Sequence, residues 1–172
     1  AICRMSDYMK TWFILCGVPG SGKSTWASKQ FGEENVVSRD KIRFSFLDNE
    51  SDYFDKETFV WEEFIREIQN RLNSDEEIVV ADATHINKRS RNKLLNALKL
   101  SNEVNVIPIF FDICQAVCME RNSQREGRAY VPKSVIRRMG YQFEVPRFEE
   151  SARYTEIWRV DAQNNLEKFV RK

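Results

Sequence analysis

Short apolar runs alternate with amphipathic segments along most of the chain. Five runs have the length and composition of strands, at residues 11–16, 35–38, 77–83, 104–113 and 156–160. The segments between them have helical patterns, at residues 24–31, 56–72, 88–100, 116–123 and 133–143. The clearest pattern is in 56–72, where apolar side chains recur every three or four residues.

Strands that alternate with helices predict one α/β domain with the mostly parallel sheet of a P-loop NTPase. We expect about five strands, helices on both faces of the sheet, and a helical lid that contains Arg121 and Arg125. Ligands of such sheets bind at the carboxyl ends of the strands. The polar motifs described below all lie at such ends or directly after them.

Length and composition fit a single folded domain over residues 1–172, with a loose leader at 1–9. Apolar residues make up 42% of the chain and include 12 Phe and 4 Trp, which is enough for a substantial core. The formal net charge is only +1, so overall charge does not predict binding to a polyanion. A nucleic-acid site would have to arise from local clusters of Lys and Arg.

The sequence predicts a cytoplasmic protein with no membrane contact. No run approaches the roughly 18–20 apolar residues of a membrane span, and no signal peptide is predicted. The spacing of the four cysteines fits neither a disulfide framework nor a zinc site, because the single histidine, His85, has no matching ligands nearby. Reduced cysteines are therefore expected.

The strongest motif follows the first apolar run and reads Gly-Val-Pro-Gly-Ser-Gly-Lys-Ser at residues 17–24. It matches the phosphate-binding loop G-x-x-x-x-G-K-[S/T], in which backbone N–H groups and a helix N-terminus surround an anion. Lys23 is expected at the β- and γ-phosphates of ATP or GTP, and the Ser24 hydroxyl is expected to hold Mg²⁺. The predicted nucleotide-binding residues of the loop are Gly17, Pro19, Gly20, Ser21, Gly22, Lys23, Ser24 and Thr25.

A second motif, Ser-Arg-Asp-Lys-Ile-Arg at residues 38–43, follows the second strand. Asp40 and Arg43 are three residues apart and so share one face of a helix. A carboxylate in this place can accept the proton of an attacking hydroxyl, and an arginine one turn later can hold an anionic group of the acceptor. A helix cap with a solvated arginine is the alternative interpretation.

A third motif, Asp-Ala-Thr-His, begins at Asp82 where an apolar strand ends. Asp82 is a candidate to support Mg²⁺ or to fix an arginine of the acceptor site, although Asp also commonly ends strands and opens turns. His85, taken alone, is more typical of a loop residue than of a catalyst.

Two basic segments follow. Arg121 and Arg125 are four residues apart on one helix face and suit the charge that spreads over a transferring phosphoryl group. An ordinary solvated helix end would have the same pattern. The run at residues 88–93, which contains Lys88, Arg89, Arg91 and Lys93, is interpreted as a solvated face.

Taken in order, the four motifs resemble the kinase domain of polynucleotide 5′-hydroxyl kinases, which include the kinase portion of the phage polynucleotide kinase–phosphatase and its bacterial relatives. That family has a P-loop, S-x-D-x-x-R, D-A-T-N after a strand, and R-x-x-x-R in a lid. The resemblance extends from about Trp12 to Phe143. His85 departs from it, since the family usually has Asn there.

The resemblance implies a role for each matching residue. Asp40 would be the general base on a 5′-hydroxyl of DNA or RNA, and Arg43 would contact the phosphate next to it. Asp82, with Thr84 and His85, would form part of the acceptor site, while Arg121 and Arg125 would clamp the donor phosphates. The predicted partner is thus a nucleic-acid 5′-OH end. A small-molecule kinase of the zeta-toxin type remains the alternative, because those enzymes also place an acid after the second strand.

Overall fold

A single sheet of six strands organises the fold in the computed structural model, which describes residues 10–46 and 56–172. The strands are β1 (Lys10–Cys16), β2 (Val36–Ser38), β3 (Ile78–Asp82), β4 (Val104–Asp112), β5 (Glu156–Asp161) and β6 (Leu166–Val170). Their order across the sheet is β2-β3-β1-β4-β5-β6, and all adjacent pairs are parallel except β5–β6. The predicted α/β class is confirmed, whereas the leader expected at 1–9 lies outside the described residues.

Six α-helices connect the strands in the described part of the chain. They are α1 (Lys23–Phe31), α2 (Arg39–Phe46), α3 (Glu57–Leu72), α4 (Lys88–Asn96), α5 (Gln115–Ser123) and α6 (Lys133–Gln142). Each of the five predicted helical segments matches one of them, although α1 and α5 begin one residue earlier and α4 ends four residues before the predicted boundary at 100. The sixth, α2, begins in the Ser-Arg-Asp-Lys-Ile-Arg motif. Among the described residues, no helix is both long enough and apolar enough to cross a membrane.

Strand β6 was not among the five predicted strands. All five of its residues are exposed, so its sequence lacks the apolar run that marked the other strands. It pairs antiparallel with β5 across a tight turn in which Asp161 accepts hydrogen bonds from the backbone N–H groups of Gln163 and Asn165. Turn chemistry and backbone pairing, rather than burial, therefore define this edge of the sheet.

The central strand β1 is buried on both faces, as expected of a parallel strand between helix layers. Trp12 and Ile14 point into a core formed with α3 and α4, whereas Phe13 and Leu15 point to the other side. On that second side the Phe13 ring stacks on Phe31 of α1, with 4.3 Å between ring centroids. The two cores therefore cover both faces of the sheet.

A buried ion pair ties the region after α6 to α4. Arg91, fully buried, donates two hydrogen bonds to Glu150, at 2.9 and 2.6 Å. It also donates to the backbone carbonyls of His85 and Glu144, both at 2.8 Å. The interpretation of residues 88–93 as a solvated face was therefore wrong for Arg91, whereas Lys88, Arg89 and Lys93 are exposed.

Replacing Arg91 with Ala is expected to lower the free energy of unfolding by about 3–5 kcal/mol, because Glu150 would remain buried without its partner. The double variant Arg91→Met/Glu150→Met removes both charges and should recover a large part of that loss. Urea denaturation measures both effects, with exposed Arg89→Ala as the control. A loss for Arg91→Ala no larger than that of the control would contradict the role given to the pair.

Candidate active site

The loop at residues 17–22 joins β1 to α1 and turns on two glycines in the left-handed region. Gly20 has φ of 84° and Gly22 has φ of 85°, a conformation that costs other residues free energy. A Cβ at Gly20 would lie 2.3 Å from the carbonyl oxygen of Cys118 in α5. Glycine is therefore required both for the backbone turn and for the close approach of α5, and the loop encloses the N-terminus of α1 as an anion nest requires.

Lys23, the first residue of α1, is buried beside this nest, and its Nζ lies 3.5 Å from the carbonyl oxygen of Val18. Burial lowers the pKa of Lys23, while the nearby carboxylates of Asp82 and Asp40 act in the opposite direction and Arg125 lowers it further. Asp40, Asp82 and Arg125, one from each of the other three motifs, thus all act on the pKa of the P-loop lysine.

Ser24 and Asp82 are brought together by the pairing of β1 with β3. The Ser24 Oγ donates a hydrogen bond of 2.6 Å to Oδ2 of Asp82. Burial raises the pKa of Asp82, opposed by the charge of Lys23 and by this hydrogen bond. Of the two functions considered for Asp82, the contact with Ser24 favours support of a cation over the fixing of an arginine.

A hydroxyl and a carboxylate are hard oxygen ligands of the kind that Mg²⁺ takes, usually with several waters and substrate phosphates. Within residues 10–46 and 56–172, no group of three or more His, Cys, Asp and Glu side chains could hold a metal ion. The hydroxyl of Ser24 and the carboxylate of Asp82 fit this ligand chemistry.

Helix α2 presents the second motif. The carboxylate of Asp40 is largely exposed and pairs with Nη1 of Arg43, one turn along the helix. The carboxylate of Glu57, at the start of α3, accepts two hydrogen bonds from Arg43, one from Nε at 3.0 Å and one from Nη2 at 2.8 Å. Arg39 donates to the same carboxylate at 2.7 Å. Burial alone would raise the pKa of Glu57, but the hydrogen bonds and charges of Arg43 and Arg39 outweigh it and the pKa is lowered.

Glu57 was not among the predicted site residues, because the pattern of 56–72 indicated only an amphipathic helix. Its contact with Arg43 joins residues 14 positions apart, and helical periodicity carries no information about such a pair. A carboxylate in the first turn of a helix also has an ordinary interpretation, because it complements the helix dipole.

The loop after β3 is held against the P-loop strand. The backbone N–H of Gly17 donates to the carbonyl oxygen of Thr84 at 2.9 Å. Nδ1 of His85 lies 2.7 Å from the carbonyl oxygen of Leu15. His85 has a positive φ of 38°. Because burial lowers its pKa to about 4, the ring is neutral at physiological pH. Nδ1 then carries the proton, and Nε2 is an acceptor without a hydrogen-bond partner among the described residues.

The two predicted lid arginines do not share one helix face, because α5 ends at Ser123; that expectation was wrong. Arg121, near the end of α5, donates from Nη1 to the backbone carbonyl of Ser21 in the P-loop, at 3.1 Å. Arg125 lies beyond the helix and is exposed, with Nη1 at 3.5 Å from the carbonyl oxygen of Ala129. Arg121 thus contacts the phosphate loop, while the positive charge of Arg125 contributes to the lowered pKa of Lys23.

The profile of a family described as an AAA domain matches residues 13–146. The chain belongs to that family. No curated protein sequence matches the chain. The family match, together with the P-loop geometry, supports the predicted enzyme class, a P-loop phosphotransferase that binds a nucleotide.

Several solved structures share the fold. A sugar kinase from Janibacter sp. HTCC2649 is 17% identical with a TM-score of 0.61, and the match covers 91% of this chain and 87% of that one. A chain of the Pnkp1/Rnl/Hen1 RNA repair complex is 23% identical with a TM-score of 0.64; 78% of this chain matches 44% of that one. A fungal RNA kinase is 14% identical with a TM-score of 0.61, covering 88% of this chain and 38% of that one. The chain thus spans less than half of either RNA-related protein.

Replacing Glu57 with Gln should lower catalytic efficiency toward the acceptor by about tenfold, because Arg43 loses a charge-assisted partner and with it a fixed orientation. The KM for nucleotide should not change, since the hydrogen-bond partners of Glu57 in the described part of the chain, Arg39 and Arg43, lie outside the P-loop. Steady-state kinetics in each substrate separates the two effects, with exposed Glu62→Gln as the control. Equal losses toward nucleotide and acceptor would instead indicate general damage to the fold.

Proposed function

We propose that the chain is a polynucleotide 5′-hydroxyl kinase that transfers the γ-phosphoryl group of ATP or GTP to the 5′-OH of DNA or RNA. The observation that carries the proposal is the placement of Asp40 and Arg43 on one turn of α2, with Asp40 near Lys23 and Arg43 fixed by Glu57. A base beside the phosphate loop suits an alcohol acceptor, and a fixed guanidinium beside that base suits an acceptor with an adjacent phosphate.

In this proposal the residues act mainly by positioning and by charge. Lys23 binds the β- and γ-phosphate oxygens, and Asp40 accepts the proton of the attacking 5′-hydroxyl. The new bond joins that oxygen to the γ-phosphorus as the bond to the β-phosphate oxygen breaks. Arg121 and Arg125 stabilise the charge on the transferring group. Ser24 and Asp82 would hold Mg²⁺, which neutralises charge on the donor phosphates.

The loop of residues 82–85 contributes to the acceptor side. Thr84 is fixed by the backbone N–H of Gly17, and the neutral ring of His85 offers Nε2 as a hydrogen-bond acceptor. The Asn that the resembled family has in this place can both donate and accept, whereas neutral His85 with Nδ1 bound to Leu15 can only accept. Because Nε2 is buried, the contact that we propose between His85 and a donor group of the acceptor substrate requires this loop to open.

A small-molecule kinase of the zeta-toxin type is the second candidate. The match to the sugar kinase favours it, because it covers nearly the whole of both chains. Transfer of radiolabel from ATP to a panel of 5′-OH oligonucleotides, nucleosides, sugars and nucleotide sugars separates the two functions. Activity on a sugar or a nucleotide sugar, with none on oligonucleotides, would replace the polynucleotide assignment.

Asp40→Asn should lower turnover by about 10²–10⁴-fold, the usual contribution of a general base, while the affinity for ATP stays nearly the same. Single-turnover transfer and equilibrium nucleotide binding measure the two quantities. Asp75→Asn is the matched control, because this exposed carboxylate precedes β3 at the opposite edge of the sheet. Unchanged turnover in Asp40→Asn would make Asp40 a helix-cap residue only.

Arg43→Ala should remove the preference for acceptors that carry a 3′-phosphate. A charge-assisted hydrogen bond to that phosphate is worth roughly 1.5–3 kcal/mol, or about 10–150-fold in discrimination. Wild-type enzyme should therefore prefer nucleoside 3′-monophosphates over nucleosides by this factor, and Arg43→Ala should phosphorylate both equally. Arg43→Lys should recover part of the preference, since an ammonium group cannot make the two-pronged contact.

Catalytic efficiency on nucleoside and 3′-mononucleotide, for wild type and both variants, provides the measurement. Arg66→Ala, an exposed arginine of α3 paired only with Glu63, is the control. Wild-type indifference to the 3′-phosphate would contradict the role proposed for Arg43.

A further inference from the structure

Helix α6 has a basic and aromatic outer face. Its inner side is apolar, with Ile136 fully buried. The segment of residues 130–143 contains three basic residues and no acidic one. All three are exposed, as is Tyr141, whose exposed fraction of 87% is the largest of the exposed apolar and aromatic residues described. We call the set the α6 stripe; its members are Lys133, Arg137, Arg138 and Tyr141.

The α6 stripe has a regular spacing. Lys133, Arg137 and Tyr141 are four residues apart and so lie in line along the helix, with Arg138 beside them. Within residues 10–46 and 56–172, none of the four side chains makes a hydrogen bond or an ion pair. The three basic side chains of the stripe thus differ from Arg43, Arg66 and Arg159, each of which pairs with a carboxylate.

Both ends of α6 are tied to the candidate active site. Before the helix, the backbone of Val131 is held by buried Asn122, which donates to its carbonyl at 2.6 Å and accepts from its N–H at 2.9 Å. Asn122 follows Arg121, which contacts the P-loop. After the helix, the N–H of Glu144 donates to the carbonyl of Ile86 at 2.7 Å, next to His85. The helix therefore runs from the lid arginines to the loop of the acceptor side.

We propose that the α6 stripe binds the single strand that carries the acceptor 5′-hydroxyl, beyond its first nucleotide. This inference rests on the proposed function and deepens it. Lys133, Arg137 and Arg138 would contact backbone phosphates, and a base would stack on Tyr141, the combination that single-stranded nucleic acids require. From Lys133 to Tyr141 the helix rises about 12 Å, which matches roughly three or four stacked nucleotides at about 3.4 Å each.

Charge and shape favour this occupant over an acidic protein surface. A phosphodiester strand supplies negative charges at a regular spacing along a line, as the stripe does with its cations. An acidic peptide would gain from the cations but has no flat group for the exposed ring of Tyr141. A sugar or a nucleoside has no row of phosphates to pair with the cations of the stripe, so the stripe would distinguish polymers from small acceptors.

Three forms of the full chain test the inference: Arg137→Ala/Arg138→Ala, Tyr141→Ala, and the charge-matched control Lys29→Ala/Lys99→Ala, whose two lysines are exposed. Fluorescence anisotropy gives the Kd for labelled 12-nucleotide DNA and RNA strands with 5′-OH ends, at several salt concentrations. Each lost phosphate contact lowers the slope of log K against log salt by about 0.7 for single strands. The double arginine variant should therefore lose about 1.4 in slope, and the control should lose none.

Tyr141→Ala should weaken binding by about fivefold or more without a change in slope, since stacking is not electrostatic. For all variants, the KM for a nucleoside 3′-monophosphate should equal that of the wild type. A slope and Kd that match the control would overturn the inference. The inference would also be overturned if polyglutamate at equal charge displaced the strand and Tyr141→Ala did not change the Kd. That result would indicate a surface that binds acidic proteins.

The binding assay separates this inference from the proposed function. Strand binding that depends on the stripe, without phosphoryl transfer to any 5′-OH end, would support the inference and refute the kinase assignment. Phosphoryl transfer to oligonucleotides that does not depend on the stripe would support the kinase assignment and refute the inference. A chain that binds no strand and phosphorylates only small alcohols would overturn both.

Discussion

The parallel pairing of β1 with β3 is the contact on which the site depends. Ile14 lies opposite Ala81 in this register, so the two strands end side by side and the P-loop begins where Asp82 ends β3. The hydrogen bond from Gly17 to the carbonyl of Thr84 extends the same pairing into the loops. A slip of one residue would turn the side chain of Asp82 to the other face of the sheet and remove it from Ser24.

That geometry gathers charges at the carboxyl edge at some cost to the folded protein. The pKa of Lys23 is lowered by burial, which means that folding disfavours its charged form; the buried ammonium therefore reduces stability at neutral pH, and the cost is relieved as pH rises toward its unfolded pKa. Asp82 and Asp40 offset part of the cost. The phosphates of a nucleotide would offset more, since a ligand that binds only the folded state stabilises it. The same unfavourable burial thus favours anion binding.

Sequence reasoning worked where a local pattern determines the geometry. The P-loop, the acid that ends β3 and the shared helix face of Asp40 and Arg43 depend on residues close together in the chain, and each has the predicted placement. It failed where partners are distant. The Arg91–Glu150 pair spans 59 positions and the Arg43–Glu57 pair spans 14. Neither a basic run nor an amphipathic helix reveals which of its charged side chains will be buried. Strand β6 was missed for another reason: its five residues are exposed, so its sequence has no continuous apolar run.

The fold itself does not choose the acceptor. A sugar kinase and two RNA-related chains share this fold at 14–23% identity. Under the proposed function, acceptor selection would therefore come from the elements around the donor site, which are α2 with its partner Glu57, the loop with His85, and α6. The near-neutral net charge of +1 gives no general attraction to nucleic acid. A strand that leaves the site would instead depend on local charge, and three unpaired cations on one helix supply it without making the rest of the surface basic.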